Sequence, residues 1–219
     1  MERLPEILYE DDSIVVIDKP AGLLTMATAA ENTRTAYAML RAHLNGRKPP
    51  EKLFIVHRLD REASGLLVFA KTAESKERLQ NQFKDHSAGR QYVAVVEGRL
   101  KENAFTVRSY LAENSAYRVY STPNKKVGKL AVTHVKVLKR SSKMSLVEIR
   151  LETGRKHQIR VHLADQGHPI VGDTAYAGAS KATRRLALHA ERLDFTHPVN
   201  GRHMTFHSPH PRAFGALLW

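Results

Sequence analysis

The sequence contains no cysteine, and this absence removes several classes of protein and site. A chain of 219 residues without cysteine cannot be a disulfide scaffold and offers no thiol nucleophile. It also lacks thiolate ligands for zinc or for an iron–sulfur cluster. Its histidines suggest no metal site either, because His157, His162 and His168 are not spaced like the i, i+4 pair of a helical zinc site. We therefore expect no metal.

Acidic residues are scarce relative to basic ones. The chain has 35 Lys and Arg residues against 22 Asp and Glu residues, which gives a net charge of +13 with histidine neutral. Basic surfaces attract phosphates through a salt-dependent electrostatic term that carries no sequence information. The expected partner is therefore a nucleic acid, with an anionic membrane as the second candidate.

Long apolar runs are missing as well. The N-terminal residues, MERLPEILYEDD, have no apolar signal core, and no segment approaches the roughly 18 apolar residues of a membrane span. A composition of 42% hydrophobic and 26% charged residues is that of a globular protein. We expect a soluble cytoplasmic protein, with one substantial core or two small lobes.

Alternating and periodic apolar residues predict an α+β fold. Residues 7–9 and 13–18 predict a hairpin, and the Asn200-Gly201 pair predicts a second one near the C-terminus. Helical spacing occurs in residues 35–44, after Thr72, and in residues 156–165. Further strands are predicted at residues 66–70, 91–97, 131–140 and 145–152.

One stretch of the chain holds much of the positive charge. No acidic residue lies between Glu113 and Glu148, whereas Lys125, Lys126 and Lys129 fall within that stretch together with five further Lys and Arg residues. Two interpretations stay open. The stretch is either a solvated lysine-rich surface or a surface that contacts phosphates.

Three segments carry candidate catalytic and binding residues: HRLDREASGLLVFAK (57–71), RQYVAVVEG (90–98) and TGRKHQIRVHLADQGHPIVGD (153–173). Asp60 sits where a strand meets a turn, between two arginines. It is a candidate nucleophile or base, although an Arg-x-Asp sequence is more often a surface ion pair.

The third segment gathers cations at the start of a predicted helix. Arg155, Lys156 and His157 precede its apolar positions, an arrangement suited to anions. Arg160 shares its neighbourhood with apolar residues and is expected to be partly buried. A buried arginine needs a carboxylate partner.

In this order, the three segments resemble the motifs of the RluA-type family of RNA pseudouridine synthases. VVIDKPAGLL (15–24) and LALHAERLDFTHPVNG (186–201) extend the resemblance, which covers residues 7–209. It implies an α+β catalytic fold with a central mixed, mostly antiparallel sheet flanked by helices and loops. It also implies no metal or organic cofactor. We expect residues 1–219 to form a single catalytic domain without a separate N-terminal RNA-binding domain.

The resemblance also assigns roles to individual residues. Asp60 matches the catalytic aspartate, and Tyr92 matches a tyrosine that packs against the target base and takes part in proton transfer. Arg160 matches the basic residue that pairs with the aspartate and favours its ionised form. Arg58 matches the arginine that fills the space left in RNA by the extruded nucleotide.

The implied function is isomerisation of specific uridines in ribosomal or transfer RNA to pseudouridine by a monomeric enzyme. Arg155 and His157, with Lys125, Lys126 and Lys129, are expected to contact the RNA. Whether the aspartate attacks C1′ or removes the C2′ proton stays open.

One departure from the family pattern keeps alternatives open. The family commonly has threonine where this chain has Ala63. The main alternative is a non-catalytic RNA-binding or ribosome-assembly factor that retains the fold. A hydrolase that cleaves the glycosidic bond of nucleotides is a third interpretation.

Overall fold

The computed structural model describes residues 4–28, 31, 33–46, 52–176, 183 and 185–219. The strands in these residues are β1 (Glu6–Glu10), β2 (Ile14–Lys19), β3 (Phe54–Ile55), β4 (Ser64–Ala70), β5 (Gly89–Glu97), β6 (Ala104–Glu113), β7 (Val119–Thr122), β8 (Lys129–Arg140), β9 (Met144–Leu151), β10 (Leu188–Thr196) and β11 (His203–His207). The helices are α1 (Ala36–Asn45), α2 (Ala73–Lys84), α3 (Gln158–Asp165) and α4 (Arg212–Ala216). No helix in the described part of the chain combines the length and the apolar character that crossing a membrane requires.

The predicted α+β fold is confirmed, and the chain divides into two compact units. The first unit consists of Met1–Gly89 with Ala190–Ser208, and the second of Arg90–His189 with Pro209–Trp219. Both predicted hairpins form, as β1–β2 and β10–β11. Strands β6 and β7 and helix α4 are elements that the sequence did not predict.

The first unit is built on antiparallel ladders β1–β2, β2–β4, β3–β4 and β10–β11. All seven residues of β4 are buried, as expected of a central strand that is apolar on both faces. Helices α1 and α2 begin where hydroxyl side chains cap them. Thr35 accepts the backbone N–H of Ala38, and Thr72 accepts that of Ser75.

The second unit orders its strands β5–β9–β8–β6–β7 with antiparallel pairing throughout. Helix α3 covers one face of this sheet, where Val161 packs with Leu111, Val119 and Ala131. Because side chains alternate along each strand, the neighbouring positions of β6 point to the opposite face. Arg108 is one of these, and its side chain is exposed.

Helix α3 begins two residues later than predicted. His157 adopts a left-handed conformation (φ 52°) immediately before Gln158, and its side chain makes no capping hydrogen bond. The cations Arg155, Lys156 and His157 therefore precede the helix instead of forming its first turn. At the other end, Gly167 (φ 76°) adopts the left-handed conformation with which helices commonly end.

Candidate active site

A turn of the first unit carries Asp60, and a neighbouring loop holds its backbone. We call residues 57–63 the Asp60 turn. The Thr25 hydroxyl donates to the carbonyl of Leu59 at 2.8 Å and accepts the Leu59 N–H at 3.1 Å. The N–H of Gly22 donates to the carbonyl of Arg61 at 2.8 Å. The residues on both sides of Asp60 are thus fixed by hydrogen bonds.

Lys19 holds the same turn from the interior. Its side chain is fully buried, and Nζ donates to the carbonyls of Ala63 at 2.6 Å and Leu23 at 2.7 Å. The carbonyls of Pro20 and Arg61 lie at 3.0 and 3.3 Å. A buried ammonium requires such partners, since leaving its donors unsatisfied is costly. Lys19 therefore ties the end of β2 to the Asp60 turn.

The side chains of the turn differ in exposure. Arg58 is exposed and Asp60 is half-buried, so both are accessible to a ligand. Ala63 is buried and meets Lys19 through its carbonyl, an interaction that does not depend on the side chain at this position. The departure from the family's threonine thus leaves the Lys19 contact in place.

Gly65 begins the path of β4 away from the turn and is constrained in two ways. Its φ is +111°, and a Cβ built there would lie 2.3 Å from the carbonyl oxygen of Ala190. Glycine alone tolerates both the conformation and the close approach. Gly65 of the motif is therefore required by the packing of the first unit.

The other two predicted catalytic residues belong to the second unit. Tyr92 lies in β5 opposite Ile149 of β9 and is buried. Arg160 lies in α3 with 4% of its surface exposed, which confirms the predicted burial. Asp60 and Arg58 lie in the first unit, so the chain distributes the predicted residues over both units.

Arg160 has a carboxylate partner that the sequence analysis missed. Its Nε and Nη2 atoms each donate to a carboxylate oxygen of Asp173 at 2.8 Å. Burial alone would raise the pKa of Asp173. The hydrogen bonds and charge of Arg160, with the backbone N–H groups of Ala175 and Tyr176, outweigh burial and hold that pKa below its ordinary value. Both side chains are almost wholly buried. The bidentate geometry fixes the plane of the guanidinium.

Tyr176 completes the surroundings of this ion pair. The guanidinium carbon of Arg160 lies 5.3 Å from the centre of the Tyr176 ring. The Tyr176 hydroxyl accepts the N–H of Val119 at 3.2 Å and contacts Nδ1 of His157 at 2.8 Å. Burial raises the pKa of Tyr176, so its hydroxyl retains the proton that His157 can accept. No sequence signal had singled out Tyr176.

A chain of hydrogen bonds also anchors α3, and its direction can be assigned from one end. Ser121 donates its hydroxyl proton to Asp165, so it can only accept from Ser109, at 3.2 Å. Ser109 then has no proton left for His162, and Nε2 of His162 is the donor to Ser109 at 3.0 Å.

The other ring nitrogen of His162 extends the chain inward. Burial lowers the pKa of His162 from 6.5 to about 4, so the ring is neutral at pH 7 and Nδ1 accepts from Thr133 at 2.8 Å. Thr133 in turn accepts from the amide of Gln158 at 2.9 Å. Two residues of α3, Gln158 and His162, are thereby bound to the sheet beneath Arg160.

The predicted RNA-binding residues of the second unit lie on its surface or near it. Arg155 is exposed, and its Nε donates to the carbonyl of Leu130 at 3.1 Å. His157 is half-buried against Tyr176. The three lysines are exposed, two of them in the loop between β7 and β8 and Lys129 at the start of β8. These positions are compatible with contact to a large ligand.

Comparison with known proteins identifies the family. The family model described as RNA pseudouridylate synthase matches residues 13–165. An RNA pseudouridine synthase of Bacillus subtilis named YhcT is 38% identical over 94% of this chain and 68% of its own length. Ribosomal large subunit pseudouridine synthase D of Neisseria meningitidis serogroup B is also 38% identical, over 97% of this chain. The chain spans only 60% of the length of that second relative.

Solved structures agree with the sequence relatives. Human RNA pseudouridylate synthase domain containing 4 superposes with a TM-score of 0.78 at 25% identity, covering 97% of this chain and 91% of the human one. These matches confirm the predicted fold, the resemblance to RluA-type synthases and the predicted enzyme class, an isomerase of uridine in RNA. The chain therefore belongs to the RNA pseudouridylate synthase family.

Proposed function

We propose that this chain isomerises specific uridines in structured RNA to pseudouridine, with Asp60 as the catalytic carboxylate. The observation that carries the proposal is the Asp60 turn. Lys19 and Thr25 hold its backbone on both sides of an accessible carboxylate. A catalytic group held rigidly in this way loses little entropy when it reaches the transition state.

The reaction rearranges bonds without a net change in atoms. The bond between N1 and C1′ breaks, the uracil turns, and a bond between C5 and C1′ forms. C5 then loses its proton, and N1 gains one. Asp60 either attacks C1′ or removes the C2′ proton, and Tyr92 packs against the uracil and helps to move the C5 proton.

The arginines have separate roles. Arg160, fixed in orientation by Asp173, is the basic partner of the catalytic aspartate and supplies positive charge to the reaction centre. Arg58, exposed on the turn, fills the space in the RNA that the extruded nucleotide leaves, because its planar guanidinium stacks on bases. No metal or organic cofactor takes part in this scheme.

The substrate is ribosomal or transfer RNA. The name of the Neisseria relative specifies the ribosomal large subunit, which favours ribosomal RNA for this chain. Arg155, His157 and the three lysines at 125, 126 and 129 contact the RNA outside the target uridine. The chain acts as a single catalytic domain and as a monomer in the cytoplasm.

Tritium release tests the proposal. RNA labelled with tritium at C5 of uridine is expected to release label to water with the wild-type protein and not with Asp60→Asn. Asp12→Asn, an exposed aspartate in the turn between β1 and β2, is the matched control and is expected to release label. Release by Asp60→Asn at the wild-type rate would disprove the role of Asp60.

Label release, together with RNA binding and product analysis, distinguishes the proposed isomerase from the two alternative functions. A non-catalytic RNA-binding or assembly factor would bind RNA tightly and release no label from any cellular RNA. A hydrolase would produce free uracil, which chromatography of the products detects.

A further inference from the structure

A groove in the second unit lies on the sheet face opposite α3. It has a volume of about 470 Å³ and is lined by Arg108, Ser109, Tyr110, Ser121, Thr122, Pro123, Lys125 and Leu130. Tyr110 of β6 is one of these residues and lies in register with Thr122 of β7 and Leu130 of β8. We call it the Tyr110 groove. Since Arg160 belongs to α3 on the other face of this sheet, the groove is separate from Arg160.

The loop between β7 and β8 forms a fixed wall of the groove. The Asn124 N–H donates to the Thr122 hydroxyl at 3.2 Å, and the Asn124 side chain accepts the N–H of Lys126 at 2.9 Å. A Cβ at Gly128 would lie 2.7 Å from Cβ of Tyr110, so the loop packs directly on this tyrosine. The wall of the groove is therefore made by contacts within the protein.

The charges in the groove are unbalanced. Among the described residues that line it, none is acidic, and neither Arg108 nor Lys125 forms an ion pair within the described chain. The ammonium of Lys125 lies over the Tyr110 ring, 5.8 Å from its centre. Such exposed cation–π contacts are weak, so an anion or a base can displace the ammonium.

A second pocket on the same face differs from the Tyr110 groove because its lining includes a carboxylate. It is lined in part by Lys136, Glu148 and Arg150, and Arg150 is paired with Glu148 at 3.1 Å. Its cationic lining is thus partly neutralised within the protein. The lining of the Tyr110 groove has two cationic side chains and no carboxylate, whereas that of the second pocket has two cationic side chains and one carboxylate.

An aromatic ring in a groove that also carries cations is the chemistry that binds single-stranded nucleic acid, where bases stack on aromatic side chains and the cations contact phosphates. We propose that the Tyr110 groove binds one unpaired nucleotide of the substrate RNA outside the target uridine. Its base stacks on Tyr110, and its phosphate lies between Arg108 and Lys125. This proposal rests on the proposed function, because it takes RNA as the substrate.

β7 pairs with β6 at the end of the strand order of the second unit. An RNA strand that passed around this edge would contact both faces of the sheet. The groove would then hold a segment that flanks the target, which adds affinity and restricts which RNAs fit.

Binding of a fluorescein-labelled single-stranded uridine 12-mer, measured by anisotropy, tests the groove. Tyr110→Leu keeps an apolar side chain but removes the stacking surface, and it is expected to weaken binding about fivefold to 150-fold. Tyr110→Phe retains the ring and is expected to bind like the wild type. Wild-type affinity of a folded Tyr110→Leu protein would overturn the proposal.

Two variants that remove the same charge give a second test and leave Tyr110 unchanged. Arg108→Gln and Arg150→Gln remove the same charge from the same face, but only Arg108 lines the groove. Arg108→Gln is expected to reduce the slope of log affinity against log salt by about 0.7, and Arg150→Gln by less. Equal effects of the two substitutions would overturn the proposal.

Two further measurements distinguish a bound nucleotide from other ligands of the groove. If poly-glutamate displaced the labelled 12-mer as effectively as unlabelled RNA does, the groove would bind acidic peptides equally well. That result would overturn the proposal of a bound nucleotide. Tritium release is measured on the same preparations. If RNA binding depended on Tyr110 but no RNA released label, the result would support RNA binding by the Tyr110 groove and would overturn the proposed isomerisation.

Discussion

The ion pair of Arg160 and Asp173 is the least exposed pair of opposite charges described in the second unit. Removing one partner of a buried pair leaves an uncompensated charge, which costs far more than removing a surface pair. We expect Asp173→Ala to lower the free energy of unfolding by about 3–5 kcal/mol. Urea denaturation at pH 7 measures the loss.

Glu74→Gln provides the comparison, because the Arg78–Glu74 pair is more than half exposed and is expected to contribute at most about 1 kcal/mol. A loss at Asp173→Ala as small as this would contradict the interpretation. Because the pKa of Asp173 is lowered in the folded state, the difference between wild type and Asp173→Ala is expected to shrink at acidic pH, as the carboxylate of the folded protein becomes protonated.

His162 makes a separate prediction on pH. Burial lowers its pKa in the folded protein to about 4, against 6.5 for an ordinary histidine. Between these values the unfolded chain binds a proton that the folded chain excludes, so this group makes stability fall as pH decreases from 6.5 to 4. The contribution is about 1.4 kcal/mol per pH unit at its steepest. Denaturation at several pH values measures it.

The variant His162→Gln removes this titration. Its stability is expected to depend less steeply on pH over the same interval than that of the wild type. Identical slopes for the two proteins would show that His162 is not the group responsible.

Among the elements, β4 depends on a glycine whose two constraints can be separated. Gly65 and Gly201 both have positive φ, but a Cβ at Gly201 would meet nothing within 4 Å. Gly201→Ala is therefore expected to cost only the backbone strain, about 1–2 kcal/mol. Gly65→Ala adds a clash with the Ala190 backbone and is expected to cost more or to prevent folding. Thermal unfolding of the two variants compares them, and equal melting temperatures would contradict the clash.

The elements with strong apolar patterns were predictable, and the weakly patterned ones were not. Strand β4 and helix α2 follow from an apolar run and from the Thr72 cap. Strand β6 has only two buried residues of ten, so its ladders with β7 and β8 define it, and a single sequence does not show that pairing. Lys19 and Asp173 were missed for a related reason. A lysine is rarely buried, and no local pattern says which carboxylate will reach Arg160.

The net charge of the whole molecule predicts how RNA affinity responds to salt. The lysines at 125, 126 and 129 are exposed, and replacing all three by glutamine is expected to reduce the slope of log affinity against log salt by about 2 to 3. The physical reason is that each phosphate contact releases counterions. Filter binding of RNA at several salt concentrations measures the slope.

A control variant with the same net charge replaces Lys52, Lys84 and Lys101 by glutamine. These lysines are also exposed but lie outside the stretch between Glu113 and Glu148. If this control reduced the slope as much as the first triple variant does, the salt dependence would follow the net charge and not the position of the lysines. A smaller reduction would locate the RNA contacts in the stretch between Glu113 and Glu148.

The first unit is completed by a segment from late in the chain, and this has a consequence for synthesis. Gly65 packs on the backbone of Ala190, and Ala190–Ser208 belongs to the unit that carries Asp60. A ribosome makes the chain from the N-terminus, and contacts so distant in sequence form late. The unit around Asp60 is therefore incomplete until residues 190–208 have left the exit tunnel. Before that point, the nascent chain is not expected to modify RNA.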